Sequence, residues 1–150
     1  MMRVLALLII AGMLVGCQTA PRPLPPDELN RIQTRTFNEP FDRVFSAVLE
    51  TLRDARYPIA KADPQSGLIM TDDVLPEGHP IAETEAGVRS KWSVTVTRTG
   101  DHQTAVRARW FYAIRGAILL RFREADQPES EEAHYKPFFE KLESKLKNNP

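Results

Sequence analysis

Few residues in this chain have a type and spacing that could do chemistry. The histidines are His79, His102 and His134. Each falls in a turn-rich segment, none lies beside a serine in a nucleophile motif, and no pair has a recognised ligand spacing, which favours solvated surface imidazoles over bases or ligands. Asp72, Asp73, Glu77, Glu83 and Glu85, with His79 among them, could attract a hard cation, but they lack the ordered spacing of a calcium loop. A solvated acidic segment is the favoured reading. Arg107, Arg109, Phe111, Arg115, Arg121 and Arg123 interleave cations with aromatics and could form a strip for lipid headgroups, peptidoglycan or nucleic acid, although the wet side of a sheet reads the same way. Trp92, Trp110 and Tyr112 lie on the apolar phase of alternating runs, which favours core over a ligand cage. With no nucleophile, metal set or buried acid pair in view, catalytic residues, metal and cofactor are all expected to be none, and the chain is expected to act by binding.

The residue with the most specific chemistry is Cys17, the only cysteine in 150 residues. Arg3 precedes an uncharged apolar run from Val4 to Val15, closing with Leu14-Val15-Gly16-Cys17. About a dozen such residues fit the apolar region of an export signal and fall short of the roughly 20 that cross a bilayer. Nothing later in the chain reaches that length, so no transmembrane helix is expected. Gly16 before Cys17, with Leu14 three positions upstream of it, resembles the lipobox read by bacterial lipoprotein-processing enzymes. The resemblance implies a signal peptide over 1–16 and lipidation of Cys17, with a diacylglyceryl thioether and an amide-linked acyl chain such as palmitate. Each buried CH₂ contributes about 0.8 kcal/mol and one chain holds only marginally, so three chains make a lasting anchor. The alternative is an ordinary small residue in an anchor or cleaved signal. Without a second thiol no disulfide forms within the chain. Gln18 stands where an Asp is the familiar inner-membrane retention signal, so the resemblance implies the outer membrane, with the domain facing the periplasm.

Twenty basic and twenty acidic residues cancel, and no basic excess points to nucleic acid. Residues 17–30 carry Pro21, Pro23, Pro25 and Pro26 with little to bury, the composition of an extended tether reaching on the order of 40 Å. The remaining 31–150 suffice for one domain.

Within that domain, Arg31 to Phe37 alternates like a short edge strand. Phe41, Val44, Phe45, Val48, Leu49 and Leu52 trace one helical stripe, with Asn38 as the expected N-cap and an end near Arg56 before Pro58. Tyr57 to Ala62 and Leu68 to Val74 read as strands around an Asp63-Pro64-Gln65-Ser66-Gly67 turn, with Gly67 free to take positive φ. Leu75 to Gly87 is a long loop. Ser90 to Thr97 and Val106 to Ile114 form an antiparallel hairpin about Gly100-Asp101, with Arg107, Arg109, Phe111 and Arg115 on its wet face. Residues 117–123 either extend the sheet or run irregularly, 126–134 form loop or a frayed turn, and Tyr135, Phe138, Phe139, Leu142 and Leu146 trace a closing helix that Pro137 tolerates only near its start. The expected fold is α+β: an antiparallel sheet of four to six strands with two amphipathic helices on one face, in two layers.

The Phe before an aromatic-rich helix, Asp63 with the Ser66-Gly67-Leu68-Ile69 turn, the Trp-containing hairpin and the closing Phe138-Phe139 helix resemble the helix-grip domains of BamC (NlpB)-type outer-membrane lipoproteins. The resemblance spans Ile32 to Leu146 and implies a non-catalytic accessory or interaction module of the envelope, with no catalytic residues to carry over. The better-known members carry two such domains, and one is expected here. Two functions follow from the residues. One is a protein-docking module that uses the exposed sheet face, with Arg107, Arg109, Phe111 and Arg115 as contacts. The alternative is a carrier that encloses a small apolar ligand or lipid between helices and sheet. A filled helix–sheet interface favours the first, an open apolar cavity the second.

Overall fold

The computed structural model describes residues 22–75, 88–114, 122–127 and 129–148. The expected export signal, Cys17, the first part of the expected tether, His79, residues 76–87 of the expected loop, Arg115 and residues 117–121 with Arg121 lie outside the described residues. In chain order the elements are α1 (Pro26–Gln33), β1 (Thr34–Phe37), α2 (Phe41–Asp54), β2 (Ile59–Asp63), β3 (Leu68–Thr71), β4 (Val88–Gly100), β5 (Gln103–Ile114), β6 (Arg123–Glu124), a π-helical turn (Glu131–Tyr135) and α3 (Lys136–Asn148). The sheet runs β1-β5-β4-β3-β2, with β6 also on β5, and every pairing is antiparallel. The chain is therefore α+β. No described helix is long and apolar enough to cross a membrane.

Residues 26–33 depart from the expected extended tether and early strand, because they form α1. Pro26 falls in the first turn, where its fixed φ suits a helix and its missing N–H would have had no partner. Asp27 and Glu28 face the positive end of the helix dipole, and Ile32 and Gln33 turn inward and are buried. The strand starts three residues later than expected, at Thr34. The cap of α2 also differs. Pro40 occupies the N-cap position in an extended conformation without a side-chain cap, leaving Asn38 too far outside to reach the first free N–H groups. Instead the Pro40 carbonyl accepts from Val44 N–H at 3.1 Å.

α2 ends at Asp54, close to the end expected before Pro58. Arg56 takes a left-handed φ of 61°. Arg56 N–H then donates to the Arg53 carbonyl at 2.9 Å and Tyr57 N–H to the Leu52 carbonyl at 3.0 Å, the paired bonds of a Schellman close, which bring Tyr57 back over Leu52. The next turn is held by Asp63, whose carboxylate accepts from Gln65 N–H at 3.0 Å and Ser66 Oγ at 2.7 Å. Gly67 follows at φ 68°, as expected, and a Cβ there would lie 1.9 Å from the Val96 carbonyl oxygen.

The β4–β5 hairpin turns at Asp101-His102 and pairs Trp92 with Trp110, Val94 with Ala108 and Val96 with Val106. These pairs share one face. They form a single core with Ile69, the α2 stripe of Phe41, Val44, Phe45, Val48 and Leu52, and Phe138, Phe139, Leu142 and Leu146 of α3. Before α3, a helical turn replaces the expected loop. Lys136 N–H reaches back to the Glu131 carbonyl, a π-type bond. Pro137 explains the widening: its ring would clash with the carbonyl four residues back, and it has no N–H to close a regular turn.

Candidate functional site

The outer face of the sheet carries the cations singled out above. Cross-strand pairing sets Lys91 opposite Phe111, Ser93 opposite Arg109 and Thr95 opposite Arg107, with Met70 opposite Ser93 on the other side. Arg107 is exposed, Lys91 and Phe111 half-exposed, and Met70 is 36% exposed. The Lys91 ammonium lies 4.2 Å from the centre of the Phe122 ring, and the Arg109 guanidinium 5.1 Å from that of Phe111. Such cation–π contacts hold flat basic side chains against the sheet.

Two members of the strip are not as expected. β6 sets Glu124 opposite Phe111 and Arg123 opposite Tyr112, so Arg123 falls in the other phase and an acid takes its place on the outer face. Arg109 is then engaged: Nε and Nη2 donate to the two Glu124 oxygens at 2.7 and 2.8 Å. This bidentate geometry is the strong form of the pair. The bond from Arg109 holds the Glu124 carboxyl below the usual glutamate range, and Glu124 raises Arg109 in turn.

Behind that pair runs a buried chain of polar groups. Gln33 Nε2 donates to Glu124 Oε1 at 2.8 Å and to the Tyr135 hydroxyl at 3.1 Å, and Tyr135 donates to the Ala125 carbonyl at 3.0 Å. Burial pushes the Tyr135 phenol up, which keeps its proton available for that bond. The chain fills the seam along β5 between β1 and β6, where Ala125 N–H also reaches the Trp110 carbonyl at 2.9 Å. A buried network of this kind is stable only when each member is satisfied.

On the core side, the aromatics gather at one end of the helix–sheet junction. Trp92 stacks on Phe138 at 4.9 Å and meets Tyr57 and Tyr135 edge-on at 6.3 and 6.2 Å. Trp110 stacks on Tyr112 at 5.6 Å and on His134 at 3.6 Å. Core packing of Trp92 and Trp110 agrees with their alternation, while Tyr112 is only half-buried at the core margin. His134 is a correction. It is half-buried against an indole, because the π-helical turn carries it inward. His102 is exposed at the hairpin turn, as expected. Among these aromatics a pocket of about 230 Å³ opens between the end of α2, the π-helical turn and the sheet. Two of its polar wall groups are bonded to each other: Tyr57 Oη accepts from Trp110 Nε1 at 3.4 Å and lies 2.9 Å from Ser90 Oγ.

Among the described residues no group of three or more His, Asp or Glu side chains could hold a metal ion. Tyr57 and His134 were not foreseen as walls of the pocket because they belong to a helix close and a π-helical turn, whose geometry no periodic pattern announces. The aromatic alternation of Trp92 and Trp110 was its only signal. No protein-family model matches the chain, and no curated protein matches it.

Proposed function

We propose that the chain is an envelope lipoprotein, anchored at the outer membrane through lipidated Cys17, whose single domain acts as a non-catalytic docking module in outer-membrane assembly or maintenance. The Leu14-Val15-Gly16-Cys17 segment after its apolar run supports the anchor. The outer sheet face carries the docking reading: exposed Arg107 and half-exposed Lys91 and Phe111 stand beside Met70 on a broad antiparallel surface. Aromatic, methionine and arginine side chains are the types enriched at protein interfaces. In this reading the helices cover the opposite face, a two-layer arrangement of helix-grip type.

The helix–sheet junction favours docking over lipid carriage. Val44, Val48, Ile69, Val94, Phe139 and Leu142 are fully buried there, so the middle of the junction is filled. The aromatic pocket at one end, about 230 Å³, is smaller than the roughly 300 to 1,000 Å³ of drug-sized ligand sites, and the larger cleft of about 520 Å³ beside β1 is walled mainly by polar side chains such as Asn38, Glu39, Arg43, Glu143 and Lys147, which do not suit an apolar ligand. Replacing Lys91 with Glu and Phe111 with Ser together tests the docking face, with Arg107 and Arg109 left intact because Arg107 donates to the buried Gln33 Oε1 at 3.4 Å and loss of Arg109 strands Glu124. Crosslinking in intact envelopes should lose its specific adducts while the melting temperature holds. An unchanged pattern of adducts would move the docking surface elsewhere.

A further inference from the structure

The aromatic pocket has a chemistry of its own, distinct from the docking face and independent of that reading. Its walls are Tyr57, Trp92, Trp110, His134 and Phe138, and Lys141 stands at the rim. A cavity of about 150 Å³ lined by apolar side chains holds one benzene ring. At about 230 Å³ this pocket has room for one ring and a short chain. The walls stack and meet edge-on among themselves, and such surfaces favour a flat aromatic body. Inside the pocket the Tyr57 hydroxyl is already bonded by Ser90 and Trp110, so the interior asks for an apolar guest.

The rim sets the charge. Lys141 makes no ion pair within 4 Å of a described residue, although its charge reaches the Asp54 carboxyl, which its neighbour Lys145 already holds at 2.7 Å, with Glu50 at 3.6 Å. Among the described residues no Asp or Glu lines the pocket. Aromatic walls alone would also attract a cation, but a cation here would meet the Lys141 ammonium at the rim, while the nearby Asp54 carboxylate is engaged by Lys145 outside the lining. We propose that the pocket binds a small aromatic carboxylate, with its ring among Trp92, Trp110 and Phe138 and its carboxylate at Lys141.

Trp92 and Trp110 are the two tryptophans of the chain, and both line the pocket, so intrinsic fluorescence reports its occupancy directly. The full chain is titrated with 3-phenylpropionate, the neutral 3-phenylpropan-1-ol and the cationic 3-phenylpropylamine. The acid should give a saturable change and bind about three- to fivefold tighter than the alcohol, the strength of a partly exposed ion pair, with the amine weakest. Lys141→Gln should erase the preference of acid over alcohol. Ala133→Leu and Ala55→Leu, on opposite lips of the pocket, should each abolish saturable binding by the acid, and melting curves identify a filling variant that has unfolded so that the other decides. Unsaturable quenching, saturable binding that survives in a folded filling variant, or an alcohol or amine that binds as tightly as the acid overturns the proposal.

Discussion

Gln33 and Tyr135, 102 positions apart in sequence, meet in the interior with Gln33 Nε2 3.1 Å from the Tyr135 hydroxyl. Both are fully buried, and between them they join α1 to the π-helical turn across the seam of the sheet. Through Gln33 the same contact steadies Glu124, which in turn fixes Arg109 on the outer face. A polar pair in the core thus links α1 to the face proposed as the docking surface.

Removing the Tyr135 hydroxyl tests this pair. Tyr135→Phe keeps the ring but leaves the buried Ala125 carbonyl without its donor and Gln33 with one partner fewer. A loss of about 1–3 kcal/mol is expected in urea unfolding. Tyr135→Phe combined with Gln33→Leu should cost less than the sum of the two, because they share one interaction. Strict additivity would show that the network is not coupled.

The Arg109–Glu124 pair makes stability depend on acid. The Glu124 carboxyl is held below its ordinary value, first by the bond from Arg109, so it binds protons more weakly folded than unfolded. Its contribution is therefore complete above the ordinary glutamate pKa of about 4.3 and is lost as pH falls through the lower folded value. Glu124→Gln should cost about 1 kcal/mol at pH 7, discounted because Arg109 is partly solvated, and the gap from the parent should close below about pH 4. A gap that stays constant down to pH 3 would remove the pair as its source.

Gly67 is the least replaceable turn residue. Its φ of 68° strains any L side chain, and a Cβ would strike the Val96 carbonyl at 1.9 Å. Gly67→Ala should therefore destabilise by at least about 2 kcal/mol, with the β3–β4 edge loosened first in hydrogen exchange. An alanine variant as stable as the parent would contradict the close approach of Gly67 to the Val96 carbonyl.

The core joins both amphipathic helices to the sheet. Phe139→Ala should cost about 3–5 kcal/mol and Val48→Ala less, since both side chains are fully buried in the same cluster and each leaves a cavity. Thermal melts measure both. An unchanged melting temperature for Phe139→Ala would remove α3 from the core.

What was legible in the sequence was periodic. The stripes of α2 and α3, the inward phase of Trp92, Val94 and Val96, and the positive φ of Gly67 follow from spacing and residue type, and each is found. The misses arise where local rules compete. Pro25 and Pro26 read as tether, yet Pro26 opens α1, because Leu29 and Ile32 give that short helix an apolar side to bury. Asn38 is a better capping residue than Pro40 but lies two positions too early. The identity of Glu124 as partner to Arg109 needed a two-residue strand that no alternation over Arg123 and Glu124 could reveal. The same holds for His134, whose inward turn depends on a π-type bond before Pro137.

The anchor is the central claim, and mass and fractionation of the expressed full-length protein test it most directly. The parent protein should sediment with outer membranes, with an intact mass that begins at Cys17 and carries three acyl chains, and Cys17→Ser should appear as an unprocessed or soluble form. A Cys17→Ser protein that still fractionates with membranes at the mature mass of the parent would contradict the account.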